Sequence, residues 1–143
     1  HVDGAQTSMD RAVIDNKLES LRRCIQRVEQ RCPATLEALV ADLDAQDVIV
    51  LNLSRAVQLC VDIAAHYLSE TGAPAPQTMG QAFEELNKLG VIDAPLCARM
   101  RAAVGFRNLA THNYDTLNLA IVFSIATTRL DDFRAFAQAI VQG

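Results

Sequence analysis

A chain of 143 residues, half of them hydrophobic and 21% charged, is long enough for one buried core and too apolar to be disordered. Its net charge of −4 excludes a protein that holds nucleic acid by overall attraction, so any such function must rest on local charge. Only six glycines and four prolines favour helices over a turn-rich sandwich.

The first eight residues, HVDGAQTS, lack the apolar core of a signal peptide, precede Met9 and read like the remnant of an expression tag. A single domain over 9–143 is therefore expected. Residues 10–31 show helical spacing, with Val13, Ile14, Leu18, Leu21, Ile25 and Val28 in one stripe and most of the basic residues off it. Pro33 separates this helix from a short second one over 34–44, with Leu36, Leu39, Val40 and Leu43 inward. The run from 46 to 69 begins with a strand-like VIVLNL, but it continues past any usual strand length without a turn signal. It reads as one central helix, apolar almost all round and deeply buried, with Asn52, Arg55, Gln58, Asp62 and His66 as polar exceptions.

TGAPAPQ, residues 71–77, is a loop by its Gly and Pro content. Thr78 and Gln81 have the spacing of a capping box, opening a helix that runs to Leu89 and closes at Gly90. Asp93 is placed as the N-cap of the next helix, with Pro95 tolerated in its first turn, and that helix should run to about Thr111. A last helix is expected from Asp115 or Thr116 to about Gln142, with Leu119, Val122, Phe123, Ala126, Leu130, Phe133 and Ile140 inward.

Charge is segregated along the chain. Residues 88–107 carry Lys88, Arg99, Arg101 and Arg107 against Asp93 alone, whereas 36–47 carry Glu37, Asp42, Asp44 and Asp47 with no base. Solvated helix faces explain such segregation as readily as a site does. The four cysteines form no CxxC pair, which argues against a zinc site or a disulfide scaffold and suits reduced thiols in a cytoplasmic protein. No run reaches the roughly 18 uncharged apolar residues of a membrane span, so no membrane partner is expected.

The stretch RNLATHNY, Arg107 to Tyr114, concentrates polar chemistry at the end of a helix. Asn108 and His112, four apart, share a face, whereas Arg107 and His112, five apart, point about 140° from each other. That pair converges only if the helix ends or bends between them, or if a second copy completes the site. A helix C-terminus favours the imidazolium form of His112, which suits a group that must change charge near neutral pH. Phosphodiester cleavage in RNA without a metal needs this kind of pair. A histidine moves the proton of the 2′-hydroxyl or of the leaving oxygen, and an arginine fork holds the phosphate. The bland alternatives are a surface salt-bridge arginine, a histidine that only caps the helix, and a tyrosine whose ring is buried with its hydroxyl at the rim.

The motif Arg107, NLAT, His112, Asn113, Tyr114 resembles that of the HepT-like toxins, a branch of the HEPN superfamily, as does Asn108 directly after the arginine. The segment VDIAAHYLSETGAPAPQTMGQAFEELNKLGVID resembles the stretch before the motif in that family. The resemblance implies an all-α HEPN-type bundle of about five to six helices, forming a homodimer with two motif copies facing across a cleft. It implies a ribonuclease toxin that cleaves RNA without metal or cofactor, through 2′-hydroxyl attack. Arg107 and His112 would be catalytic and Asn108 positioning. Tyr114 would help hold RNA and accept AMP from a minimal nucleotidyltransferase antitoxin that uses ATP and magnesium. Asp62 and His66, four apart on the central helix, stand as supporting residues of the cleft or as a hydrogen-bonded polar pair inside the helix packing. The competing reading is a non-catalytic HEPN module that binds nucleotides or partners a nucleotidyltransferase.

Overall fold

The central element of the fold is α3 (Leu43–Glu70), a 28-residue helix that touches every other α-helix. The computed structural model describes the backbone of residues 2–143 and the side chains of residues 11–143. In chain order the elements are α1 (Val2–Arg31), α2 (Leu36–Val40), α3, α4 (Met79–Lys88), α5 (Ala94–His112), a 3-10 turn (Tyr114–Thr116), α6 (Leu119–Thr128) and α7 (Leu130–Gln142). There is no strand among the described residues. The reading of residues 1–8 as a tag remnant concerns side chains outside the described residues.

The all-α expectation holds, and most boundaries follow from local chemistry. Thr78 Oγ1 accepts from Gln81 N–H at 3.1 Å, while the Gln81 side chain accepts from Gln77 N–H at 2.7 Å, one residue before the capping-box position. Gly90 takes φ +78°, where a side chain would be strained. The bonds from Val91 N–H to Leu86 O and from Gly90 N–H to Asn87 O then close α4 in a Schellman motif. Asp93 caps α5 through Leu96 N–H at 2.9 Å, with Pro95 in the first turn.

Three expectations need correction. The second helix covers five residues and buries only Leu39; Val40 and Leu43 are mostly exposed. Asp42 ends it, because its extended backbone and its bond to Ala45 N–H start α3 instead. Gln46 then ties the two helices by donating to Leu39 O and Val40 O. α3 is not buried all round: Leu51 and Arg55 are exposed, and Gln58, Asp62 and His66 continue the same stripe partly covered. Its most apolar 18-residue window has the length and hydropathy of a membrane span, yet half of that window is packed inside the bundle. Finally, the single last helix is divided, so the described residues form seven α-helices rather than five to six. Thr127 and Thr128 donate back to Phe123 O and Ser124 O, a bonding pattern that bends helices, and Arg129 leaves helical geometry at φ −117°, ψ 2°.

One continuous hydrophobic cluster extends from Ile14 to Ile140. The stripe expected in α1 packs on α3, and among the described residues Asn52 is the one buried polar residue, with its amide donating to Val48 O at 2.8 Å. Cys24, Cys60 and Cys97 are buried, Cys32 is half-buried, and all four are free thiols. Burial pushes the Cys60 thiol well up, so it stays protonated and unreactive.

Phe83 of α4 meets Phe136 of α7 edge to face, with ring centroids 5.6 Å apart, and both rings are fully buried. Phe136→Ala should lower unfolding free energy by about 3–5 kcal/mol, read as a reduced midpoint in chemical denaturation with little change in slope.

Candidate functional site

α5 runs without interruption through Arg107 and Asn108 to His112, its last residue. Asn113 leaves the helix at φ −134°, ψ 43° while its N–H still donates to Leu109 O at 2.8 Å, and the chain tightens into the 3-10 turn that carries Tyr114. His112 therefore stands at a helix C-terminus, as expected. No bend separates it from Arg107, and no hydrogen bond joins the two among the described residues. On one continuous helix their side chains diverge by about 140°. Asn108 and His112 share an exposed face.

The basic segment before the motif is largely neutralised by the fold. Lys88 pairs with Glu85, Arg99 with Asp132 and Arg101 with Glu84. Arg107 differs, because no carboxylate faces it among the described residues. Its Nη1 lies 3.9 Å from the Met79 Sδ at the start of α4, a weak acceptor that leaves the guanidinium charge uncompensated. A half-buried arginine without an anion partner is suited to receive one, and its fork matches two oxygens of a phosphate.

Tyr114 is 44% exposed, and its hydroxyl donates to Asp47 Oδ1 on the second turn of α3. That bond, with some burial and the charges of Asp47 and Asp115, pushes the phenol up to about 12. Asp47 is a partner of the motif that the sequence pattern does not reveal. It lies 67 residues from its partner and counted only as one of four acids in 36–47. Beside the motif, Gly105, Phe106, Leu109, Asn113, Leu117 and Ile121 line a groove of about 680 Å³. Leu109 and Ile121 are 52% and 49% exposed, so the motif borders an uncovered apolar surface.

Asp62 and His66 do not form the expected pair. Asp62 accepts from Gln58 Nε2 at 3.0 Å and faces Lys17 of α1 at 3.6 Å. The His66 imidazole makes no hydrogen bond among the described residues; beyond the helix ladder, its backbone carbonyl accepts from Ser69 Oγ. Neither residue contacts the motif through a hydrogen bond or ion pair, and Asp62 lies about four helical turns along α3 from Asp47. Among the described residues, no three His, Cys, Asp or Glu side chains gather in a way that could hold a metal ion.

A helical bundle with Arg-x4-His-x-Tyr at the end of its fifth helix has the architecture of a HEPN protein. Comparison with known proteins agrees. The family described as ribonuclease HepT-like matches residues 21–140. The mRNA nuclease HepT of Shewanella oneidensis is 34% identical over 128 residues, covering 90% of this chain and 96% of that protein. A toxin–antitoxin crystal structure with AMP-PNP superposes with a TM-score of 0.87 at 32% identity, covering 92% of this chain and 99% of the other. The tri-AMPylated Shewanella oneidensis HEPN toxin, in complex with its MNT antitoxin, superposes with a TM-score of 0.86 at 34% identity, covering 92% and 98%. The chain belongs to the HepT-like ribonuclease family.

The Asp47 bond gives Tyr114 a measurable signature. In a Tyr67→Phe protein, where Tyr114 is the one tyrosine left, ultraviolet titration should keep the phenol protonated well past its ordinary midpoint near 10. Asp47→Asn should bring the midpoint back down. Because the folded value is raised, this bond stabilises the fold fully below pH about 10, and its contribution is lost as pH rises through about 12.

Proposed function

We propose that the chain is the ribonuclease toxin of a toxin–antitoxin pair, an endoribonuclease that cleaves RNA without a metal. The observation that carries this reading is the state of Arg107. It alone among the four bases of 88–107 has no carboxylate partner among the described residues, and it sits on the same helix as the exposed His112, five residues before it. Arg107 binds the scissile phosphate and stabilises charge on its non-bridging oxygens, and His112 transfers the proton. The 2′-hydroxyl of the RNA is the nucleophile, so the protein need supply none. Asn108 orients substrate or histidine from the face that it shares with His112. Messenger RNA is the first substrate to test, because the similar Shewanella protein is named an mRNA nuclease. The four unpaired thiols support a cytoplasmic setting.

The divergence of Arg107 and His112 on one helix supports a site assembled from two chains. We infer a homodimer in which a second copy covers the groove at Leu109 and Ile121 and brings its own motif to face the first. Two local basic sites then act together, which offsets the acidic total charge. Regulation follows from Tyr114: its exposed hydroxyl receives AMP from a nucleotidyltransferase antitoxin, as the AMPylated state of the similar Shewanella toxin supports. The added phosphate and its bulk stand beside the place where RNA phosphate must bind.

His112→Ala and Arg107→Ala should each lower RNA cleavage by about 100-fold or more and relieve growth arrest on expression. Cleavage at the wild-type rate by either variant would rule out this site. Ile121→Arg should convert the dimer to a monomer by light scattering and lower cleavage with it. A variant that stays dimeric would place the interface elsewhere.

A further inference from the structure

The AMP-transfer reading leaves one chemical step without a residue: the phenol proton of Tyr114 must go somewhere as the oxygen becomes a nucleophile. Asp47 is in hydrogen-bond contact with that proton. Its carboxylate has no lysine or arginine partner among the described residues, so its lone pairs are not committed to an ion pair. It is exposed, as is Tyr114, and a nucleotidyltransferase can approach the hydroxyl and the carboxylate together. Asp115 and Asp44 are close in sequence to the two partners, but neither makes a hydrogen bond to the hydroxyl.

We propose that Asp47 is the proton acceptor for nucleotidyl transfer onto Tyr114, so that the target protein supplies part of the catalytic machinery for its own modification. In this step Tyr114 Oη attacks the α-phosphorus of a nucleoside triphosphate. The Oη–P bond forms, the bond from phosphorus to the β-phosphate oxygen breaks, and pyrophosphate leaves with the bonding electrons. The phenolic proton passes to Asp47 Oδ1. A base already in contact with the attacking hydroxyl meets the geometric requirement for general-base catalysis. It also answers a difficulty set by the same contact: the phenol is harder to ionise beforehand than a free one, so the proton must leave during attack. Once Oη is esterified it has no proton to donate, so the tether between the 3-10 turn and α3 is lost on modification.

The proposal rests on AMP transfer to Tyr114 and is tested with the full chain, its cognate nucleotidyltransferase, magnesium and ATP, following AMP incorporation by intact mass. Asp47→Asn keeps an oxygen that accepts from the hydroxyl but cannot take the proton. Its saturating rate should fall by about 100-fold or more, with the KM for the toxin changed by less than about threefold. Asp47→Asn labelled at the wild-type rate, or impaired only in KM, would overturn the proton-acceptor role while leaving AMP transfer intact. A wild-type chain that gains no AMP would instead remove the reading on which the proposal rests.

Discussion

Burial of α3 is the constraint on which the molecule depends. This helix contacts all six other helices, so each must present an apolar stripe to it while keeping polar groups outward. The requirement fixes α1 along one side through Leu21, Cys24, Ile25 and Val28, and it brings α5 and α7 against another. It also determines where α3 can remain uncovered. The exposed stripe through Asp47, Leu51 and Arg55 is what the bundle leaves over, and Tyr114 is anchored at its N-terminal end. Function in this chain is therefore set by packing at one remove: the core decides which few polar groups stay free.

The distribution of charge follows the same principle. A chain with more acids than bases binds a polyanion only where individual cations escape neutralisation. The structure pairs Lys88, Arg99 and Arg101 with nearby carboxylates and leaves Arg107 beside a thioether. The segmental excess of positive charge visible in the sequence thus reduces to one available guanidinium. Solvated helix faces account for the rest, and Arg107 is the exception that matters.

What was legible in the sequence was local. Helix caps such as Thr78 and Asp93, the Gly90 stop and the apolar stripe of α1 are written within a few residues, where capping and periodicity operate. The motif is equally local, eight residues ending one helix. The break at Arg129 was missed because it comes from side-chain hydroxyls bonding backward in an otherwise helical pattern. Asp62 and His66 misled because i, i+4 spacing shows which residues share a face, not which partner each one chooses; Gln58 and Lys17 compete for the carboxylate. Asp47 was invisible as a partner of Tyr114, since no periodicity relates residues 67 apart.

The junction between α5 and the 3-10 turn divides the motif mechanically. Arg107 and His112 belong to a helix whose backbone bonds hold them in place, whereas Tyr114 lies just past the helix end on a turn of three residues. A partner protein can engage the tyrosine by displacing a short turn and one tether, without melting any of the helix that carries Arg107 and His112. A change confined to the turn can therefore leave the helical scaffold intact.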